Sequence, residues 1–461
     1  MSPFVVKGIA RLRARVSLPG DKSISHRAVI LAALSKGKTQ ILNFPGNQDC
    51  SYTLRAFRQL GLKIRRGRAA VVVYSRGPFG LQRPQRPIFT GDSGTTLRLL
   101  LGVLAGQNFS VRLTAGRSLS RRPMLRVTAP LRKMGAAIKS QVTLRLRSGQ
   151  ASHKSQVEEY PPILIKGGNL RGITYRIPVA SAQVKSALLL AGLFARGETK
   201  IIEPLKTRDH TERMLKVFAA DIHCKNNFSA IRGDKELTTP GKIFLPGDIS
   251  SAVFFIVLAA LIKGARLTVK KVSLNPTRLG AVRVLKRMGA KIKVTSHPSA
   301  SLRAGKSQVT SFEPMGDIIV KGSSLKGTVV KKQEIPSLID ELPALMVAAS
   351  LARGKTIFQG AGELRVKETD RIKSMQENLA KMGAKIKVAR SGKAENIVIE
   401  GVEKLRGAKI KSFGDHRTAM SMAVAGLLAG GKTRIDDGSC INKSFPGFLS
   451  ILRSLREKSY H

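Results

Sequence analysis

The sequence has no tryptophan, only 5% aromatic residues, three cysteines and little acid: 29 Asp and Glu face 81 Lys and Arg in 461 residues, a formal net charge of +52. Each shortage excludes something. Without tryptophan, aliphatic side chains must fill the core. Cys50, Cys224 and Cys440 are widely spaced, odd in number and form no CxxC pair. That excludes a disulfide framework and a cysteine-based zinc site, and it points to a reducing, cytoplasmic setting. The longest unbroken apolar run, Ala252 to Ile262, is eleven residues, too short to span a bilayer, so no membrane partner is expected. Scarce acid excludes an acidic disordered chain and a halophilic surface. The basic excess raises nucleic acid as a partner, and a basic nucleic-acid-binding protein is the alternative of a different class. Against it, Lys and Arg are spread through every segment, with no helix-turn-helix, zinc finger or aromatic-interleaved basic patch. No specific nucleic-acid partner is expected. The Arg-rich start has the composition of a transit peptide, but its Leu12, Ala14, Val16 alternation reads as a strand running into a Pro19-Gly20 turn.

What is present is globular: 42% of residues are hydrophobic and 24% charged, ordinary values for a folded chain. At roughly 150 residues per domain, the length predicts two to three domains. The chain is repetitive. An Ala/Leu-rich helix pattern, a glycine and a short β-type run recur at Leu31–Leu42, Gly102–Leu113, Leu190–Ile202, Leu258–Val269, Ala349–Phe358 and Ala425–Ile435. Helices apolar all round are buried helices, and glycine stops them. A second unit, an amphipathic helix ending in Gly before a basic strand, recurs at Leu54–Ile64, Pro130–Lys139, Val284–Val294 and Asn378–Val388. Together they predict a βαβαβ-like module used about six times. The halves also match without a gap: Leu18/Leu245, Pro19/Pro246, Gly20/Gly247, Asp21/Asp248, Ser23/Ser250 and Gly37/Gly264. Two similar domains of three modules are expected, with chain crossings at the two Pro-Gly turns. Ser140 to Glu159 and Thr295 to Phe312 interrupt the rhythm and read as exposed hairpin extensions without a site role.

The halves differ where chemistry would sit. Lys22, Ser23, Ser25, His26 and Arg27 follow the first turn, whereas Ile249, Ser250, Ala252 and Val253 follow the second. Cations and hydroxyls at a helix N-terminus attract anions, although a plain cap with a solvated first turn explains Asp21-Lys22-Ser23 taken alone. Similar clusters precede other buried helices: Gly91 to Thr96 with Arg98, Ser181 to Ser186, and Gly414 to Arg417. Converging helix starts would make an anion-attracting cleft. Arg365 to Arg371 is the densest charge cluster. Either it is a solvated helix end, or Lys367 and Arg371 share a helical face and grip an anion beside Glu368. Asp340 and Glu341, before an apolar helix, read as a cap or a buried reactive group.

Leu18 to Arg27, Gly91 to Arg98, Arg122-Pro123, Pro178 to Lys185, Arg365 to Arg371, Gly414 to Arg417 and Lys443 together, in order and over nearly the whole chain, resemble the 5-enolpyruvylshikimate-3-phosphate synthase family. The resemblance implies an α/β (α+β) fold of two similar domains, each of three βαβαββ repeats around buried helices, an inside-out α/β barrel. The domains would be 20–243 and 1–19 plus 244–461, with the site in the cleft between them. It implies transfer of the enolpyruvyl group of phosphoenolpyruvate to the 5-hydroxyl of shikimate 3-phosphate, with no metal or other cofactor, in a cytoplasmic monomer. Carried over residue by residue, Lys22, Ser23, Arg27, Ser181, Ala182, Gln183, Arg208, Asp340 and Lys367 would hold shikimate 3-phosphate. Lys22, Gly94, Arg122, Gln183, Arg371, Arg417 and Lys443 would hold phosphoenolpyruvate, with Lys367 bridging the two substrates. Asp340, Glu368 and Lys22 would be catalytic, Asp340 as base at the attacking hydroxyl and Glu368 as proton donor and acceptor at the methylene. His416 would line the site. The related transferase acting on UDP-N-acetylglucosamine is the nearer alternative. It uses a Lys-Asn pair and a mobile-loop cysteine; here Ser23 follows Lys22, and no cysteine lies between Arg117 and Pro123.

Overall fold

The computed structural model describes residues 2–145, 156–297, 302–304, 307–309, 312–391 and 394–457. Six buried helices organise it: α1 (Lys22–Leu34), α2 (Gly94–Leu104), α3 (Ala182–Gly192), α4 (Ile249–Leu261), α5 (Leu342–Ser350) and α6 (His416–Leu428). Each belongs to one of the six repeats, and each carries apolar or small residues on every side, so a single wet face never forms. Their polar ends are closed by side chains. Asp21, Ser93, Ser181, Asp248 and Asp415 cap α1, α2, α3, α4 and α6, each accepting a hydrogen bond from a first-turn amide. In α5, Pro343 sits in the first turn, where its missing N–H does no harm.

A sheet accompanies each repeat, with one shared pattern: a parallel edge strand, a central strand and antiparallel strands beyond it. Five sheets have four strands, and among the described residues the sixth has three. Outside them lie amphipathic helices. Those at Gln48–Gln59, Leu125–Lys133, Gly280–Arg287 and Arg371–Lys381 end at Gly61, Gly135, Gly289 and Gly383, all at positive φ. The helix His210–Val217 ends instead at Ala219, held at φ 58°. Inside, glycine permits contact rather than turning: a Cβ on Gly102 would lie 2.2 Å from the Ala187 carbonyl oxygen, so α2 and α3 meet backbone to backbone.

The buried apolar residues form two separate cores. One lies between Ile24 and Leu245. The other joins Val6 to Leu18 with Ile249 to Leu455. The early strands therefore serve the later half: Arg13–Ser17 pairs in parallel with Arg266–Ser273, and Phe4–Lys7 pairs with Lys432–Ile435. At the two Pro-Gly turns the strands touch, with Gly20 bridged to Gly247, Asp21 N–H donating to the Pro246 carbonyl at 2.8 Å and Asp248 N–H to that of Pro19 at 3.1 Å. Fully buried Arg278 lies between the two capping aspartates, 3.1 Å from Asp21 and 3.7 Å from Asp248, with Glu341 3.8 Å away.

The expected extensions are hairpins where described. Ala137–Arg145 pairs with Gln156–Lys166, and Leu302–Ala304 with Ser307–Val309; 146–155, 298–301, 305–306 and 310–311 lie outside the described residues. The first is not wholly peripheral, because buried Glu159 at its base binds Arg132 at 2.7 Å. One sheet carries an unusual surface. Arg13, Arg266, Lys321 and Lys291 are paired directly across four strands, and all are exposed. No helix among the described residues is long and apolar enough to cross a membrane.

Candidate active site

The site assembles at the starts of the buried helices, where the two halves face each other. Asp340, just before α5, is the centre. Its carboxylate lies 2.5 Å from Arg208 Nη2 of the other half, 3.4 Å from Arg371 Nη1 and 3.8 Å from Arg417 Nε, and its carbonyl accepts from Arg417 Nη1 at 2.9 Å. Glu368 lies 2.5 Å from Arg371 Nη2 and 3.7 Å from Arg122 Nη1. Arg371 itself is fixed from behind by buried Asp415, the cap of α6, at 3.0 Å. Two carboxylates are thus held by a shared guanidinium, with cations from both halves around them.

On the other wall, Lys22 at the start of α1 donates to Asp49 at 2.9 Å. Arg27, one turn on, donates to Ser186 of α3 at 2.7 Å and to the Ser23 carbonyl at 2.8 Å, tying the α1 and α3 N-termini together. Ser23 stands in the first turn of α1, Ser181 caps α3 and Ala182 begins it. Among the described residues, no side-chain hydrogen bond joins these three to Asp340 or Glu368. Gln183 is clamped at both ends, accepting from Arg98 at 3.0 Å and donating to Thr95 at 2.9 Å. Gly94 leaves the guanidinium ends close to the backbone: a Cβ would lie 2.6 Å from Arg98 Nη1 and 3.1 Å from Arg122 Nη1, so both arginines would have to shift. Lys443 reaches across to Asp92 at 3.3 Å. Behind α3, buried Lys185 is held by Glu203 and Glu212, each at 2.7 Å.

The field is strongly positive. Burial raises the Asp340 carboxyl, but Arg417, Arg208, Lys367 and Arg371 outweigh it and hold the group well below the carboxylate range. Burial likewise raises Glu368, and Arg371, Arg122 and Lys22 among the surrounding cations together more than reverse it. The cations pay in the opposite direction. Burial, then Arg122, pushes Arg98 down to about 9. Burial, then Arg208 and Arg278, brings Arg27 to about 10. Lys367 is lowered by burial first and then by Arg371 and Arg122, although Asp340 and Glu368 pull the other way. Guanidinium and ammonium groups depressed in this way have acidic neighbours too few to offset burial and the surrounding cations, and a polyanion would make up the difference. His416 is buried with neither ring nitrogen partnered, and burial pushes it to about 3, so it is neutral at physiological pH.

One expectation fails. Lys367 and Arg371 do not share a helical face: Lys367 terminates the 3-10 turn Ala361–Val366, and the helix starts only at Arg371 because Asp370 caps it, accepting from Lys373 N–H at 3.0 Å. The i,i+3 partner of Arg371 is Glu368. Sequence reasoning also passed over the groups that hold the site: Asp49 behind Lys22, Asp92 behind Lys443, Arg98 behind Gln183 and Asp415 behind Arg371. Asp92, Arg98 and Asp415 lay inside motifs already singled out, whereas Asp49 sits in a helix with no distinguishing pattern.

A family model described as EPSP synthase (3-phosphoshikimate 1-carboxyvinyltransferase) matches residues 6–452. The chain belongs to the EPSP synthase family. Among its relatives, the 3-phosphoshikimate 1-carboxyvinyltransferase of Desulforamulus reducens is 44% identical over 98% of this chain and 99% of its own. That of Pelotomaculum thermopropionicum is 47% identical over 96% of each. The solved structure of EPSP synthase from Acinetobacter baumannii is 39% identical, covers 98% of each chain and superposes with a TM-score of 0.82. These EPSP synthase matches support the main reading of the sequence and neither the UDP-N-acetylglucosamine enzyme nor a nucleic-acid-binding protein.

Proposed function

We propose that this chain is a 3-phosphoshikimate 1-carboxyvinyltransferase. It joins phosphoenolpyruvate to the 5-hydroxyl of shikimate 3-phosphate and releases phosphate and 5-enolpyruvylshikimate 3-phosphate. The observation that carries the reading is the pair Asp340 and Glu368, bridged by Arg371 within a surplus of under-neutralised cations. Both substrates are polyanions, and the reaction needs acid/base groups among fixed positive charges. A proton is delivered to the enol methylene, the adjacent carbon becomes cationic, and the hydroxyl attacks it. The tetrahedral intermediate then returns a proton and expels phosphate. Glu368 is the donor and acceptor at the methylene, Asp340 takes the hydroxyl proton, and Lys22 reaches both substrates. Ser23, Arg27, Ser181, Ala182, Gln183, Arg208 and Lys367 bind shikimate 3-phosphate. Gly94, Arg122, Gln183, Arg371, Arg417 and Lys443 bind phosphoenolpyruvate. The domains are 20–243 and 1–19 plus 244–461, a division supported by the two separate cores, although Leu245 packs in the first, and the enzyme works as a cytoplasmic monomer. Incubation of the folded protein with both substrates is expected to release inorganic phosphate, measured colorimetrically. Folded protein that releases none would overturn the proposal.

A further inference from the structure

Several ion pairs cross the cleft, and nearly all use a group proposed to bind substrate: Arg122–Glu368, Arg208–Asp340 and Lys443–Asp92. These pairs compete with the substrates. Apart from the pairs at the chain crossings, which include buried His210 with Glu313 beside Arg278, one cross-cleft pair among the described residues does not. Arg126 Nη2 lies 3.3 Å from Glu363 Oε1, and Nη1 lies 3.4 Å from Oε2, a two-pronged contact. Arg126 lies in the first turn of the helix Leu125–Lys133, four residues after Arg122. Glu363 sits in the 3-10 turn Ala361–Val366, which delivers Lys367 and Glu368. The pair therefore joins the two lips just outside the reacting groups. It does so beside a second cross-cleft contact, the Ser118 hydroxyl donating to the Glu368 carbonyl at 3.2 Å.

We infer that Arg126 and Glu363 are a positioning pair that latches the cleft and sets Arg122 against Glu368. Neither residue touches the reacting atoms. Bidentate geometry fixes orientation as well as distance. The side chains are 50% and 37% exposed, so the latch is weak and reversible, suited to a cleft that must reopen. A latch of this kind favours the closed arrangement before and during binding, and so acts on KM more than on kcat.

The inference rests on the enolpyruvyl-transfer reading for its kinetic arm only. Arg126→Glu and Glu363→Arg are compared with the double charge swap and the wild type. Each single variant is expected to raise KM for phosphoenolpyruvate at least about twofold with kcat near wild type, and the swap is expected to restore it. In X-ray scattering of the ligand-free protein, the single variants should have a larger radius of gyration, while the swap matches wild type. Single variants with wild-type KM and dimensions, or a swap no better than the worse single variant, would overturn the latch. If the wild-type chain itself releases no phosphate, the enzymatic reading falls, and the scattering comparison alone decides the latch.

Discussion

Glu368, the proposed acid catalyst, is held in its base form. Burial raises its carboxyl, but Arg371, Arg122 and Lys22 among the surrounding cations together outweigh it and hold the group well below its ordinary range, so without substrate it stands as the carboxylate at neutral pH. Bound phosphates and a carboxylate neutralise those cations and raise the pKa of Glu368. Binding should therefore take up protons, and affinity should weaken as pH rises through the pKa of the bound state. Calorimetry in buffers of different ionisation enthalpy measures this: uptake is expected in the wild type and less in Glu368→Gln. Glu368→Gln and Asp340→Ala should each lower turnover at least about a hundredfold, measured by phosphate release. At this scale the sequence was half legible. Motifs marked the cations and carboxylates because each lies at a helix start. Their supports escaped because a side chain such as Asp49 gains meaning only from what folding places 2.9 Å away.

At the scale of elements, the repeats were readable because each buried helix must be apolar all round and each outer amphipathic helix must stop at a residue that tolerates positive φ. The exception is informative. Ala219 occupies the position where the comparable helices use glycine, at φ 58°. A left-handed alanine is strained by roughly 1–2 kcal/mol, partly offset by its smaller loss of chain entropy. Ala219→Gly is thus expected to stabilise the protein by up to about 1 kcal/mol, seen as a higher denaturation midpoint with unchanged activity. The row Arg13, Arg266, Lys321, Lys291 is the opposite case, a local conflict that no periodicity revealed because its members come from distant strands. Like charges directly opposite destabilise a sheet. Lys321→Glu, which places an acid between two cations, should recover roughly 0.2–1 kcal/mol. The gain should shrink in high salt. The Lys367–Arg371 expectation failed for a related reason: spacing alone cannot tell a helix from the turn before one, and the cap at Asp370 decided it.

At the scale of the whole molecule, the +52 charge divides into two parts. The cleft takes the cations that face Asp340 and Glu368. Among the described residues the remainder is spread over the exposed strands, amphipathic helices and loops of both halves, and nothing in the structure explains its size. The two-half architecture was legible from the gapless match around the Pro-Gly turns. The way the crossings join was not, because Gly20 meets Gly247 and Arg278 spans both caps only once the chain has folded.

That crossing also sets an order of assembly. Residues 4–7 and 13–17 are synthesised early, yet their sheet partners are 432–435 and 266–273. The buried members of the first core all lie between Ile24 and Leu245, so that unit can condense while the ribosome is still making the rest. The early strands must wait, tethered to a folded neighbour, for hundreds of residues to arrive. Closing so long a loop adds little to its entropy, which grows only slowly with length, but it postpones the second core to the end of synthesis. Lys22 and Arg122 are therefore expected to be in place before Asp340 and Glu368 become their neighbours, so that the cleft forms late.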